Sequence, residues 1–140
     1  MRFMMIMYPG PDAEAGVLPA EKDLIEMGKF NEEMVNAGVL LAGEGLHPSS
    51  AGARVRFPGG KAHVSDGPFT EAKEVVGGFW LIQAKSKAEA VAWASRCPCS
   101  RGEVIEIRRV YEAEDFAESD PTGELREAEA TLRKQAEANR

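Results

Sequence analysis

The residues of this chain best suited to proton and anion chemistry lie between positions 47 and 74. Asp66 ends the apolar stretch KAHVSD and is followed by Gly67 and Pro68, and His47 stands earlier in GLHPSS. A histidine changes charge near neutral pH, and a carboxylate that orients it makes the pair a general base. His47 leaves one apolar segment just before a hairpin begins, so folding can bring it toward Asp66. Arg54 and Arg56, in ARVRF, are cations that a bound organic anion could pair with. Each feature also has a plainer meaning. Asp-Gly-Pro suffices for a turn, because an Asp carboxylate accepts backbone N–H bonds two residues on. Glu71, Lys73 and Glu74 form a charge cluster of the kind that ordinarily faces solvent.

Stronger chemical motifs are missing from the sequence. It has no Gly-rich phosphate loop, no His-Glu-x-x-His and no nucleophile elbow. Cys97, Cys99, His47 and His63 are the right types for four zinc ligands, but their spacing matches no zinc framework, and neither metal nor cofactor is assigned. Cys97-Pro98-Cys99 reads instead as the end of a helix stopped by Pro98. Its thiols are too close in sequence to bridge easily and are expected to be reduced, as in a cytosolic protein. The net charge of −6 argues against sequence-independent nucleic-acid binding, which needs a basic face. The longest apolar runs, such as residues 75–84, fall far short of the ~20 residues a membrane span needs. The opening MRFMMIMY is followed by Pro-Gly-Pro-Asp rather than a cleavage site, so it reads as a strand of a cytoplasmic protein.

The elements that must position these residues follow from periodicity. Residues 2–8 are apolar on both faces, as in a central strand. PGPDAEAGVLPA reads as a loop. Residues 21–37 are helical, with Leu24, Met27, Phe30, Met34 and Val35 on one broad face and Gly38 as the left-handed residue that ends the helix. VLLAGEGL is a second strand, and ARVRF and KAHVS form a hairpin around Pro-Gly-Gly. GGFWLIQA is a strand. SKAEAVAWASR is a helix with Ser86 and Glu89 at capping-box spacing and with Ala88, Val91, Ala92 and Ser95 on its apolar face. GEVIEIRRVYE is the last strand. The order β-α-β, hairpin, β-α-β predicts an α+β, ferredoxin-like split βαβ domain over residues 1–111, with both helices on one sheet face. The bare face predicts a homodimer, closed as a face-to-face barrel. Residues 112–140 are expected to form a charged helical extension starting at Asp120-Pro121, with a thin apolar stripe of Leu125, Ala128 and Leu132.

The run from Asp66-Gly67-Pro68-Phe69 through Glu71, Lys73-Glu74 and Gly78-Phe79 to Glu106-Ile107-Arg108 closely resembles the YCII-related, DGPF-domain proteins of bacteria. The resemblance covers roughly residues 1–111 and leaves the tail outside. It implies a dimeric α+β barrel of ferredoxin-like topology but supplies no reaction. A His-Asp arrangement in related YciI-like proteins has prompted proposals of enzymatic activity, and some DGPF members are encoded beside, or fused to, sigma factors of the extracytoplasmic-function type. Two expectations follow. The first is a lyase- or isomerase-type enzyme on a small organic substrate. Asp66 is its key carboxylate, at a barrel mouth lined by Met, Phe and Trp where desolvation raises an acid's pKa. His47 is its partner and Arg54 or Arg56 the anion anchor, with Phe69, Glu71, Lys73 and Phe79 as further substrate contacts. The alternative is a non-catalytic regulatory module whose acidic surface docks a sigma factor.

Overall fold

The computed structural model describes residues 1–70 and 74–140, in two compact units, Met1–Arg109 and Val110–Arg140. In the first, β1 (Arg2–Tyr8) is central because it hydrogen-bonds on both edges. β5 (Gly78–Gln83) lies on one side and β6 (Val104–Arg109) on the other, both antiparallel. β2 (Leu40–Gly45) pairs with the far edge of β5, so the sheet order is β2-β5-β1-β6. Between the strands run α2 (Glu21–Asn36) and α3 (Lys87–Ala94). The strand order is that of a split βαβ unit in an antiparallel α+β fold. The loop after β1, which its Pro and Gly content predicted to be irregular, contains one helical turn, α1 (Pro11–Glu14). The expected hairpin, β3 (Ala53–Arg56) with β4 (His63–Asp66), stands as a separate two-stranded sheet.

Alternation along the strands sorts their side chains between two faces. Phe3 and Met5 of β1 and Trp80 and Ile82 of β5 face the helices and form the core with Phe30, Met34, Val39, Ala84 and Ala90. Trp80 donates its indole N–H to Asn31 Oδ1 at 2.9 Å and meets the Phe30 ring edge-on. Tryptophan is no part of the lining expected for a barrel mouth. Trp80 lies under the helices and Trp93 packs against the same core, so the tryptophans serve the helix–sheet layer. Met4, Ile6, Phe79 and Leu81 fall on the opposite face, against which neither α2 nor α3 is packed.

The helix faces also differ from expectation. In α2 the buried stripe is Met27, Phe30 and Met34, whereas Leu24 and Val35 are each 58% exposed. A helix laid on a sheet buries a narrower arc than a helix inside a bundle, and both residues sit at the margins of the broad face. In α3 Ala90 is buried and Trp93 and Ala94 pack half-buried against the core, with Cys97 just beyond the helix, while Ala88, Val91, Ala92 and Ser95 are exposed. Alanines fit either face, and the single large ring of Trp93 decides which one turns inward. The boundaries follow the predicted chemistry more closely. Gly38 (φ 71°) ends α2 in the left-handed region. Ser86 Oγ accepts the Glu89 N–H at 3.1 Å, while the Glu89 carboxylate accepts the N–H of Lys85 rather than that of Ser86.

In the second unit α4 spans Glu124–Glu137, starting after rather than at Pro121, and none of its residues is buried. Its start is fixed by Asp120, which is only 6% exposed. The Asp120 carboxylate accepts the backbone N–H groups of Leu125 and Arg126 and the Nε–H of Arg126. Burial alone would raise the pKa of this carboxyl, but those N–H groups and the Arg126 charge outweigh it and hold the group below the ordinary carboxylate range.

Two outcomes follow. Met34→Ala should cost about 2–5 kcal/mol in urea unfolding, because it opens a core cavity, whereas Leu24→Ala should cost under about 0.5 kcal/mol. A lowered folded-state pKa stabilises at pH values above the ordinary carboxylate pKa, and that contribution is lost as pH falls through the lowered value. The NMR helix signature of α4 should therefore weaken as pH drops below ~4. Asp120→Asn should weaken it already at neutral pH and flatten the dependence.

Candidate functional site

Three segments meet at Ser49, which is 6% exposed. Its N–H donates to Glu14 Oε1 of α1 at 2.6 Å, and its Oγ accepts the Phe69 N–H at 2.9 Å. Nearby, the Gly67 N–H donates to the Gly52 carbonyl at 2.9 Å. Gly67 is pressed so tightly onto this segment that a Cβ there would lie 1.7 Å from the Ser49 carbonyl oxygen. The Gly67–Pro68 peptide is cis. The Asp-Gly-Pro-Phe stretch is thus a turn built to close on residues 49–52, and glycine is the one residue that fits there.

The Gly77-Gly78 pair has a similar origin. A Cβ at Gly77 would lie 2.5 Å from the Pro9 ring, and one at Gly78 would lie 2.8 Å from the Glu44 carbonyl oxygen. Gly77 donates its N–H to the Met7 carbonyl at 2.8 Å and accepts from the Leu46 N–H at 2.9 Å. These contacts pin the ends of β1 and β2 to the start of β5, and so fix the base from which His47 projects.

Between the pinned segments lies an open, mostly apolar cavity of ≈ 370 Å³. His47, Arg54, Phe69, Glu74, Val75 and Val76 are among its walls. The Arg54 guanidinium sits 3.8 Å from the centroid of the Phe69 ring, a cation–π contact that orients it. Among the described residues no carboxylate pairs with Arg54. A smaller cavity of ≈ 60 Å³ shares the wall made by Leu46, His47, Pro48, Val75 and Val76, and adds Glu14, Pro9, Ala13 and Gly77. Glu14 Oε2 is buried, and among the described residues no donor reaches it.

The structure therefore brings together His47, Arg54 and Phe69. Asp66 ends β4 opposite Ala53, is exposed, and does not line the cavity. Among the described residues no hydrogen bond joins it to His47. Arg56 pairs with His63 across the hairpin and is also exposed. Phe79 borders a different cavity of ≈ 450 Å³, beside Asn31, Glu44 and Trp80. Glu71 and Lys73 lie outside the described residues. The residue that sequence reasoning missed is Glu14. A single acid in a Pro- and Gly-rich loop carries no spacing signal, and its importance comes from contacts with residues far along the chain.

Cys97 and Cys99 place their sulfurs 3.5 Å apart as free thiols. Burial, reinforced by the neighbouring thiol, pushes the Cys97 thiol up, and burial raises Cys99 as well. Thiols of this kind stay protonated at neutral pH and are poor nucleophiles.

A family model described as the YCII-related domain matches residues 1–114. The chain is also 36% identical over 74 residues to a protein of Rhizobium meliloti (strain 1021) named "Uncharacterized protein R00369". The match covers 53% of this chain and spans 60% of the relative's length.

Gly67→Ala should destabilise the protein by about 1–3 kcal/mol in denaturant unfolding, because the backbone of residues 49–50 must move aside. Iodoacetamide should modify Cys97 and Cys99 slowly in the native protein at neutral pH and quickly in urea, as followed by mass spectrometry.

Proposed function

The chain belongs to the YCII-related domain family, and on that premise we propose that it is an acid/base enzyme of lyase or isomerase type acting on a small organic anion. The observation that carries this reading is the shared cavity of His47 and Arg54, whose walls are largely apolar. Arg54, held against Phe69 and free of a carboxylate partner among the described residues, anchors the substrate's carboxylate by its planar fork of N–H donors. His47 then stands on the same cavity wall as the group that gives and takes the proton. Apolar walls lower the local dielectric and so strengthen both interactions. Asp66 serves this site by ending β4 where the Gly67 turn must close, rather than by touching the substrate within one chain.

The working form is a homodimer closed through the sheet face opposite α2 and α3. Met4, Ile6, Phe79 and Leu81 supply its apolar centre, and Glu44, Glu106 and Arg108 lie on the same face as partners for polar contacts. A two-fold axis through this face makes the patch self-complementary and yields the face-to-face barrel.

The test is an NMR titration of the whole protein with small carboxylates. Binding should perturb His47 and the residues around Arg54, and Arg54→Met should weaken binding about tenfold or more, as loss of a charged hydrogen-bond donor implies. If no carboxylate perturbs either residue at millimolar concentration, the reading fails. Sedimentation should show a dimer that Ile6→Glu converts to a folded monomer; a wild-type monomer would refute the barrel.

A further inference from the structure

Glu14 is an acid that the preceding assignment does not use. One of its carboxylate oxygens is committed to the Ser49 N–H, and the other is buried with no donor among the described residues. A buried acceptor without a partner costs free energy that a folded protein ordinarily avoids. Such an oxygen is placed to accept a hydrogen bond from water or from a bound molecule. The ≈ 60 Å³ cavity that Glu14 lines is roomy enough for one small polar group and too small for a ligand body. It shares the His47 wall with the larger cavity that holds Arg54. The remaining walls, Pro9, Ala13, Leu46, Val75 and Val76, have apolar side chains.

We propose that Glu14 is the specificity-determining carboxylate of this site. Its free oxygen accepts the O–H of a substrate hydroxyl, so the substrate class is hydroxy-carboxylates rather than simple carboxylates or amino acids. This rests on the reading of the Arg54 cavity as an anion site. The ligand's carboxylate meets Arg54, its carbon body lies against Phe69 and Val76, and its hydroxyl enters the small cavity between Glu14 and His47. An ammonium group in place of the hydroxyl would bring three N–H donors to a recess with one free carboxylate oxygen, leaving donors unsatisfied. A hydroxyl brings one donor to Glu14 and can accept from the His47 ring N–H, which matches both walls.

The experiment titrates the full-length protein with L-lactate, L-alanine and propionate, three-carbon acids that differ in one group, and reads affinities from amide shifts. Lactate should bind about tenfold more tightly than propionate, the preference expected from one hydrogen bond to a charged acceptor. Glu14→Gln keeps a carbonyl oxygen for the Ser49 N–H but removes the anionic acceptor. It should bring lactate down to the propionate level and leave propionate unchanged, with the Ser49 amide resonance in place as proof of an intact loop. Arg54→Met should weaken lactate and propionate alike. Equal wild-type binding of lactate and propionate would overturn the role of Glu14 while leaving the anion site standing, and would assign its free oxygen to bound water alone. Preference for alanine would overturn the hydroxyl assignment. If none of the three acids shifts residues near Arg54, the anion site fails and this inference with it.

Discussion

Everything in the candidate site depends on how Ser49 is held. Its N–H faces α1 through Glu14, while its hydroxyl and its carbonyl both face the Asp-Gly-Pro-Phe turn, through Phe69 and through Gly67, where a Cβ would collide with that carbonyl. A polar residue this buried must have its bonds satisfied, and satisfying them fixes three otherwise irregular stretches relative to one another. Irregular segments lack the repeating ladders that stiffen helices and strands. A single well-partnered residue can supply that rigidity instead. The wall carrying His47 and the wall carrying Phe69 are set by the same two hydrogen bonds, so the cavity between them has a defined width.

That geometry gives the spacing of these glycines a physical meaning. The Gly67 turn and the Gly77-Gly78 pair are all places where backbone approaches backbone or a proline ring too closely for a side chain. The glycines are therefore construction constraints that set where their neighbours stand. Asp66, flanked by these constraints, is most simply a residue of the construction as well.

The fold was largely legible. Strand order, the hairpin and the α+β class follow from the apolar runs and turn residues of residues 2–109, because central strands and Gly/Pro turns carry strong local signals. The faces of α2 and α3 were read less well. Leu24 and Val35 satisfy helical periodicity but lie beyond the arc a sheet can cover, and the alanines of α3 do not discriminate between faces. The site was half legible. His47, Arg54 and Phe69 were picked by type, and the structure brings them to one cavity. The expected His47–Asp66 pairing rested on the idea that two segments near a hairpin converge, and convergence of backbones does not dictate which side chains face each other. Glu14 was invisible because its role is created by tertiary contact with Ser49, thirty-five positions away.

The hydrogen bond from Leu46 to Gly77 joins the two ends of the excursion that carries the hairpin, His47, Arg54 and Phe69. The excursion leaves and re-enters the sheet at a single point, so its interior can lengthen, shorten or change sequence at little cost to strand pairing, since closure entropy grows slowly with loop length. The sheet acts as a fixed socket and the excursion as an interchangeable head. Chains sharing this sheet can vary the excursion while keeping the same strand order, with α1 reaching in from outside it as the element any new head must accommodate.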